Sequence, residues 1–217
     1  MLKIDNLSAS IGNKQILNNV NIELAKGKCL LVTGQNGAGK STLLHAIMGR
    51  PDITIVGHID LDSVELHTME CHERAKAGVF LAHQVPPTID GVNTMTLFKE
   101  VQKAQSLDIT TGNLIKQVKE LSEQFGLPED WSKRAFNNGA SGGERKKGEL
   151  MQAEVLSKKT KLLLLDEPDS GLEQSSRQKI IQLIEDTCNH GGSVLLVTHD
   201  KELQAKYNDN KLDLSNA

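Results

Sequence analysis

Aromatic side chains are scarce in this chain. Four Phe, one Trp and one Tyr make up only 3% of the 217 residues. A core must therefore be assembled from Leu, Ile, Val and Ala, for which the overall hydrophobic share of 38% suffices. Cysteine is also rare: Cys29, Cys71 and Cys188 lie far apart, without the spacing of a zinc or cluster site. They read as buried or free thiols in a reducing cytosol. Net charge is small, at −3, so there is no electrostatic footprint for nucleic acid or an anionic membrane surface. No apolar run reaches membrane-spanning length. The opening residues Met1, Leu2, Lys3, Ile4 and Asp5 lack the apolar stretch of a secretory signal. These absences point to a cytoplasmic protein of one compact domain with two lobes.

The patterning alternates between β and α periods. Leu2 and Ile4, then Val20, Ile22 and Leu24, alternate with polar residues about a turn at Asn13, which predicts antiparallel strands. The apolar run 29–32, bounded by Gly27 and Gly34, predicts a strand buried on both faces. A helix with Leu43, Leu44, Ile47 and Met48 on one side follows a Gly-rich loop. Ile59 and Leu61 alternate again, and Val79-Phe80-Leu81-Ala82 is another short apolar run. Beyond Pro86 and Pro87 the period becomes helical, with Leu97, Val101 and Ala104, then Leu114, Val118, Leu121 and Phe125. Two more buried strands are expected at 162–165 and 194–197, separated by a helix carrying Ile180, Ile184 and Cys188. Strands alternating with helices imply an α/β fold with a largely parallel sheet. Lys211, Leu212, Asp213 and Leu214 suggest a last strand.

Gly34-Gln35-Asn36-Gly37-Ala38-Gly39-Lys40-Ser41-Thr42 fits the Walker A pattern, and it lies between a buried strand and a helix as that pattern requires. Glycines allow a tight wrap that aims backbone N–H groups at phosphate oxygens, and the helix dipole favours the same anion. Lys40 has the reach for the β- and γ-phosphates of a nucleotide, and the Ser41 hydroxyl suits Mg²⁺. Leu162-Leu163-Leu164-Leu165-Asp166-Glu167 has the form of Walker B. Its strand delivers Asp166 to the Mg²⁺ shell and Glu167 to the attacking water. Ala140-Ser141-Gly142-Gly143-Glu144 opens another helix with a serine hydroxyl and bare glycine backbone, a second anion seat.

In this order the motifs resemble those of the ATP-binding cassette (ABC) ATPase family, from about residue 1 to about residue 200. The 140–144 segment is similar to its signature L-S-G-G-Q, with Ala140 and Glu144 as departures. The resemblance implies a P-loop fold: a RecA-like core, an N-terminal antiparallel β region and an inserted helical subdomain. It places the core in 1–85 and 160–217 and the helical subdomain in 86–159. It implies that Ser141, Gly142 and Gly143 meet the γ-phosphate on an opposite subunit. Gln84 resembles the Q-loop glutamine, a sensor of Mg²⁺ and water. Ser170-Gly171-Leu172-Glu173 is similar to the D-loop, and His199 to the H-loop histidine that hooks the γ-phosphate. Catalysis would then rest on Glu167, His199, Lys40 and Gln84, and metal binding on Ser41, Gln84 and Asp166. The aromatic that stacks on adenine in many members has only Ile11 near its place, so loose base selectivity is expected.

Within the family the chain is most similar to the SufC type, the soluble ATPase of SUF iron–sulfur assembly. Ala46-Ile47-Met48-Gly49-Arg50-Pro51-Asp52, the run from Val79 through Gln84 to Ile89-Asp90-Gly91-Val92, Ser141-Gly142-Gly143-Glu144-Arg145-Lys146-Lys147 and Asp166-Glu167-Pro168-Asp169-Ser170-Gly171-Leu172 carry that similarity. His83 and Pro168 depart from it. The resemblance implies an ATP-dependent homodimer acting on SufB/SufD-like scaffold proteins, docked on a groove formed by Arg50 and residues 85–98. It also suggests that Asp169 pairs with Lys146 or Lys147 and restrains the resting enzyme. The alternative is the nucleotide-binding subunit of a membrane ABC transporter, attached to the membrane only through its partner. A DNA-repair or SMC-type ATPase needs a long coiled-coil insertion between Walker A and the signature, where only about a hundred residues lie without sustained heptads, and a ribosome-associated ABC protein normally has two cassettes in one chain.

Overall fold

The computed structural model describes residues 1–107 and 109–215. Two sheets organise the chain. The first is antiparallel, in the order β2-β1-β4-β5. Its strands β1 (Leu2–Ile11) and β2 (Lys14–Leu24) form a hairpin about Gly12 and Asn13, with Leu2 opposite Leu24 and Ile4 opposite Ile22. β4 (Ile53–Leu61) pairs with the other edge of β1, and β5 (Val64–Glu65) completes the sheet. Strand β4 starts well before the Ile59–Leu61 alternation: Ile53 and Ile55 are half-buried against the core, whereas the intervening Thr54 and the neighbouring Val56 are exposed.

The second sheet is parallel, in the order β6-β7-β8-β3-β9. Its strands are β3 (Cys29–Thr33), β6 (Val79–Ala82), β7 (Leu162–Asp166), β8 (Ser193–Val197) and β9 (Lys211–Asp213). Every residue of β7 and β8 is buried, as continuous apolar runs demand of a sheet covered on both faces. Alternate residues serve different cores. Leu162 and Leu164 join Leu2, Leu17, Leu44 and Ile47 between the two sheets, around α1 (Lys40–Met48). Leu163 and Leu165 pack on the opposite side with Leu183 and Ile184 of α6 (Gln174–Asn189). The fold is the P-loop ABC ATPase type expected from the motifs.

The remaining helices are α2 (Cys71–Lys76), α3 (Thr94–Ala104), α4 (Thr111–Gln124), α5 (Gly142–Leu156) and α7 (Lys201–Tyr207). The short α2 and α7 have too few turns to show a period in the sequence. Their starts are marked by a capping box at Glu70 and by the Asp200 carboxylate, which accepts from the N–H groups of Glu202 and Leu203. Leu114, Val118 and Leu121 line the buried face of α4, as their spacing predicts. Helix α3 differs: it buries Thr94 and Phe98, whereas Leu97 and Val101 are only half-covered and Ala104 is exposed. Its apolar stripe faces a surface groove, not the core.

Helix α5 crosses the Phe98–Trp131 pair, whose ring centroids are 6.4 Å apart. Gly148, in the middle of this helix, leaves room for the indole: a methyl at that position would lie 2.4 Å from Trp131 Cζ2. Helix propensity alone favours Ala over Gly by about 1 kcal/mol. Overpacking of a fixed, buried ring costs about 1–3 kcal/mol and should dominate. Gly148→Ala is therefore expected to lower the urea midpoint, and a raised midpoint would show that the indole has space to yield.

Candidate active site

The parallel sheet brings the C-terminal ends of β3, β6, β7 and β8 to one edge, and the sequence-predicted residues emerge there. After β3 the chain wraps through Gly34, Gly37 and Gly39, with φ of 145°, 85° and 92°. Gly39 is needed twice over. Its φ is unfavourable for an L side chain, and a Cβ there would lie 2.6 Å from Leu17 Cδ2 of β2. Gln35 O accepts from Ala38 N at 3.1 Å, closing the loop. Lys40 Nζ donates to Gly34 O (2.9 Å) and Gln35 O (3.0 Å), so the ammonium folds back over the loop. Helix α1 starts with no side-chain cap and no acid in its first turn, leaving its N-terminal N–H groups for an anion.

Asp166 ends β7 with no solvent exposure. Its Oδ1 accepts from Ser41 Oγ at 3.1 Å, while Oδ2 is buried without a partner among the described residues. Burial pushes this carboxyl above the ordinary range, and the Ser41 hydroxyl offsets part of that. A buried carboxylate oxygen lacking a donor is unfavourable unless something positive completes it. Together with the Ser41 hydroxyl, this donor set fits a hard divalent cation such as Mg²⁺.

Glu167 follows in the left-handed region, at φ 48°. Such a conformation costs about 1–3 kcal/mol for a non-glycine residue and has to be held. Its N–H donates to Val197 O at 2.9 Å, and Lys146 Nζ donates to its carbonyl at 2.9 Å. The turn aims the side chain at two other predicted residues. Gln84 Nε2 donates to Oε2 at 2.9 Å, and His199 Nε2 lies 3.4 Å from Oε1. Gln84, Glu167 and His199 thus come together from the ends of β6, β7 and β8, although 83 positions separate the first two.

Ser141, Gly142 and Gly143 are placed elsewhere. Ser141 caps α5 in a capping box: its Oγ accepts from Glu144 N at 3.2 Å, and its own N–H donates to Glu144 Oε2 at 2.7 Å. The backbone and hydroxyl of Ser141 hold the Glu144 carboxyl below the usual range. Glu at this position thus performs the reciprocal cap that Gln also performs. Ser141 and Gly142 are exposed. No hydrogen bond among the described residues joins them to Lys40, Ser41, Asp166 or Glu167.

The expected pairing of Asp169 with Lys146 or Lys147 is not present. Lys146 is buried, and its ammonium serves three backbone carbonyls, those of His83, Asp166 and Glu167, at 2.7, 3.2 and 2.9 Å. Desolvation lowers its pKa. Asp169 instead accepts the hydroxyl hydrogen of Thr198. Thr198 Oγ1 in turn accepts from Asp200 N at 3.0 Å, and Asp200 pairs with Arg177 of α6. The segment carrying His199 is thereby anchored on both sides. Arg177 and Thr198 were not singled out in the sequence. Only Asp200, one residue before a helix, carried a legible signal.

Beside the segment 85–98, expected to dock a partner, lies a groove. It encloses about 430 Å³ and takes Pro87, Ile89 and Leu97 from the segment 85–98. Its remaining apolar lining includes Ala75 of α2, Phe80 of β6 and Leu156 of α5. Arg50 is not in it; its guanidinium pairs with Asp52 at 2.6 Å. His83 lines the groove, and its Nδ1 lies 2.8 Å from Oε1 of the buried Glu149.

The chain is similar to a "Probable ABC transporter ATP-binding protein" of Streptococcus pyogenes serotype M18, with 35% identity over 207 residues that cover 94% of this chain and 80% of that one. Among solved structures it superimposes on an ATP-binding subunit of an ABC transporter with a TM-score of 0.83, at 20% identity, covering 98% of this chain and 85% of that one. It also superimposes on the ATP-binding cassette MJ0796, solved as a dimer in a post-hydrolysis state bound to ADP and Pi, with a TM-score of 0.80 and 21% identity, covering 99% and 95%. Among the described residues, no helix is long and apolar enough to cross a membrane. The profile of the ABC transporter family matches residues 17–170, and with the edge of the sheet arranged as above the chain belongs to that family and is an ATP-binding cassette ATPase.

Proposed function

We propose that two copies of this chain enclose ATP between the phosphate loop of one and the signature of the other, and that hydrolysis drives rearrangement of an iron–sulfur assembly scaffold of SufB/SufD type. The convergence of Gln84 and His199 on the Glu167 carboxylate, beside the Ser41–Asp166 pair, carries the catalytic part of this reading. In it, Gly34, Gln35, Asn36, Gly37, Ala38 and Gly39 wrap the phosphates, with Lys40 leaving its loop carbonyls to neutralise the β- and γ-oxygens. Ser41, Asp166 and Gln84 would hold Mg²⁺, which would supply Lewis-acid neutralisation of phosphate charge. Thr42 completes the loop. Glu167 accepts a proton from the attacking water, which forms the new P–O bond as the bond to the ADP oxygen breaks. His199 holds the γ-phosphate, and Asp169 and Arg177 keep its segment in place through Thr198 and Asp200.

The exposed signature, unconnected to the phosphate loop of its own chain, supports a site completed by a second copy. The core of 1–85 and 160–217 then carries nucleotide and catalytic carboxylates, and the helical part, 86–159, presents Ser141, Gly142 and Gly143. The SUF role rests on the four sequence stretches quoted above and on Asp169, and implies a cytoplasmic setting. A transporter role is the second reading, favoured by Pro168 and by the names of similar proteins. Both readings place the partner on the groove between α2, α3 and α5.

Three outcomes are expected. Lys40→Ala loses charge-assisted bonds worth about 1.5–3 kcal/mol each, so ATP affinity should fall roughly 10- to 100-fold or more by calorimetry. Undiminished affinity would place the phosphates elsewhere. Glu167→Gln retains shape but not basicity, and single-turnover hydrolysis should slow by about 10²- to 10⁴-fold. With ATP that variant should elute as a dimer, whereas hydrolysis at the parent rate would remove Glu167 from the base role. Finally, Leu97→Asp with Val101→Asp puts charge into the groove and should abolish capture of scaffold proteins from native extract without lowering basal hydrolysis. Capture of a membrane-spanning partner instead would favour the transporter reading.

A further inference from the structure

Between the end of β6 and the buried Pro86, the chain is fastened at His83, and both fastenings come from α5. The His83 carbonyl accepts from Lys146 Nζ at 2.7 Å, and its Nδ1 lies 2.8 Å from Oε1 of Glu149. A carboxylate oxygen only accepts, so the ring nitrogen is the donor. Gln84 and Val85 are exposed. Apart from the bond of Gln84 Nε2 to Glu167 Oε2, no other hydrogen bond among the described residues holds the stretch 83–85.

Lys146 and Glu149 lie at i and i+3 of α5, so they face the same side of that helix. A bond to the carbonyl alone leaves residue 83 free to swivel about it. The second bond, from the ring to the same helix, fixes the direction in which the chain leaves β6 and therefore the place from which Gln84 starts. Burying a carboxylate is unfavourable unless it is hydrogen-bonded. Glu149 is buried with His83 Nδ1 as donor to Oε1, while its Oε2 has no donor among the described residues. An apolar side chain would fill the same place without that cost. What the carboxylate supplies is a directional hold on the residue before Gln84.

We propose that Glu149 is a positioning residue for hydrolysis: through His83 it fixes the backbone from which Gln84 reaches the Glu167 carboxylate. This deepens the reading of Gln84 and Glu167 given above and rests on it. Glu149 acts only through residue 83, and no hydrogen bond among the described residues joins either of them to the phosphate loop. Its loss therefore falls on the rate of hydrolysis and not on the affinity for ATP.

The test compares two replacements of the His83 ring in the full chain. Asparagine places its amide nitrogen where Nδ1 stands, and glutamine carries it one bond further, where Nε2 stands. Both remove the ring, so lost packing affects both alike. In single-turnover assays His83→Gln should slow hydrolysis by about tenfold or more, whereas His83→Asn should stay close to the parent. ATP affinity by calorimetry should be unchanged in both. Glu149→Ala should match His83→Gln, and combining the two should add no further loss. A second readout needs no turnover. The side-chain amide signal of Gln84 in nitrogen-15 NMR, assigned by its disappearance in Gln84→Glu, should move to a solvent-exposed position in His83→Gln and stay in place in His83→Asn. Equal losses in both His83 variants would assign the effect to ring packing and overturn the proposal. Parent-like rates with an unmoved Gln84 signal in His83→Gln and Glu149→Ala would overturn it while leaving the site reading intact. Gln84→Ala hydrolysing at the parent rate would overturn the catalytic reading of Gln84, and this proposal with it.

Discussion

The register of the parallel sheet is the constraint on which the rest of the molecule depends. Ala82 lies beside Leu165, Asp166 beside Val197, and Val197 beside Val32. Parallel strands all end in the same direction, so this alignment delivers four loops to one edge without any loop having to reach. A slip of one residue in β7 would send Asp166 to the opposite face of the sheet and exchange the leucines of the two cores. Both outcomes are penalised by the same burial. The apolar packing that stabilises the fold is therefore also what fixes the spacing of the site.

Within that frame, charge is buried where the chain can least easily support it. Lys146 is covered almost completely yet finds three carbonyl acceptors, so its cost is largely met inside the protein. Its partners are the backbones of the segment after β6, at His83, and of the turn that carries Asp166 and Glu167. The signature helix is thus tied to both. Asp166 is the opposite case, with one oxygen satisfied by Ser41 and the other without a donor among the described residues. One buried charge is satisfied inside the protein, and the other keeps an oxygen without a donor among the described residues.

Much of the fold was legible because its signals are local. Continuous apolar runs at 162–165 and 194–197 read as buried strands and are strands; Leu114, Val118 and Leu121 read as one helical face and form one. Helices α2 and α7 were not read, since neither is long enough to display a period. Leu97 and Val101 show why a period can mislead. Their spacing correctly reports a helix with an apolar stripe, but it is silent on whether that stripe meets a core or an open groove. The Asp169 pairing went astray for a related reason. Opposite charges at suitable places in a sequence do not reveal that Lys146 has three closer acceptors and that Asp169 has a hydroxyl at hand.

What the sequence by itself determined is the character of each segment: a glycine-rich loop of Walker A form, a strand ending in two acids, and a serine that caps a helix. These depend on residue type and near neighbours, and such information is contained in the order of the chain. The tertiary structure decided which of them meet. Gln84, Glu167 and His199 share one carboxylate because three strands end together, and Ser141 stands apart because its helix starts elsewhere on the surface. The oxygen of Asp166 that lacks a donor among the described residues and the anchoring of His199 through Thr198 and Arg177 belong to the same class. Each arises between residues distant in sequence, where contact is set by packing of the whole chain and leaves no periodic trace in any one part of it.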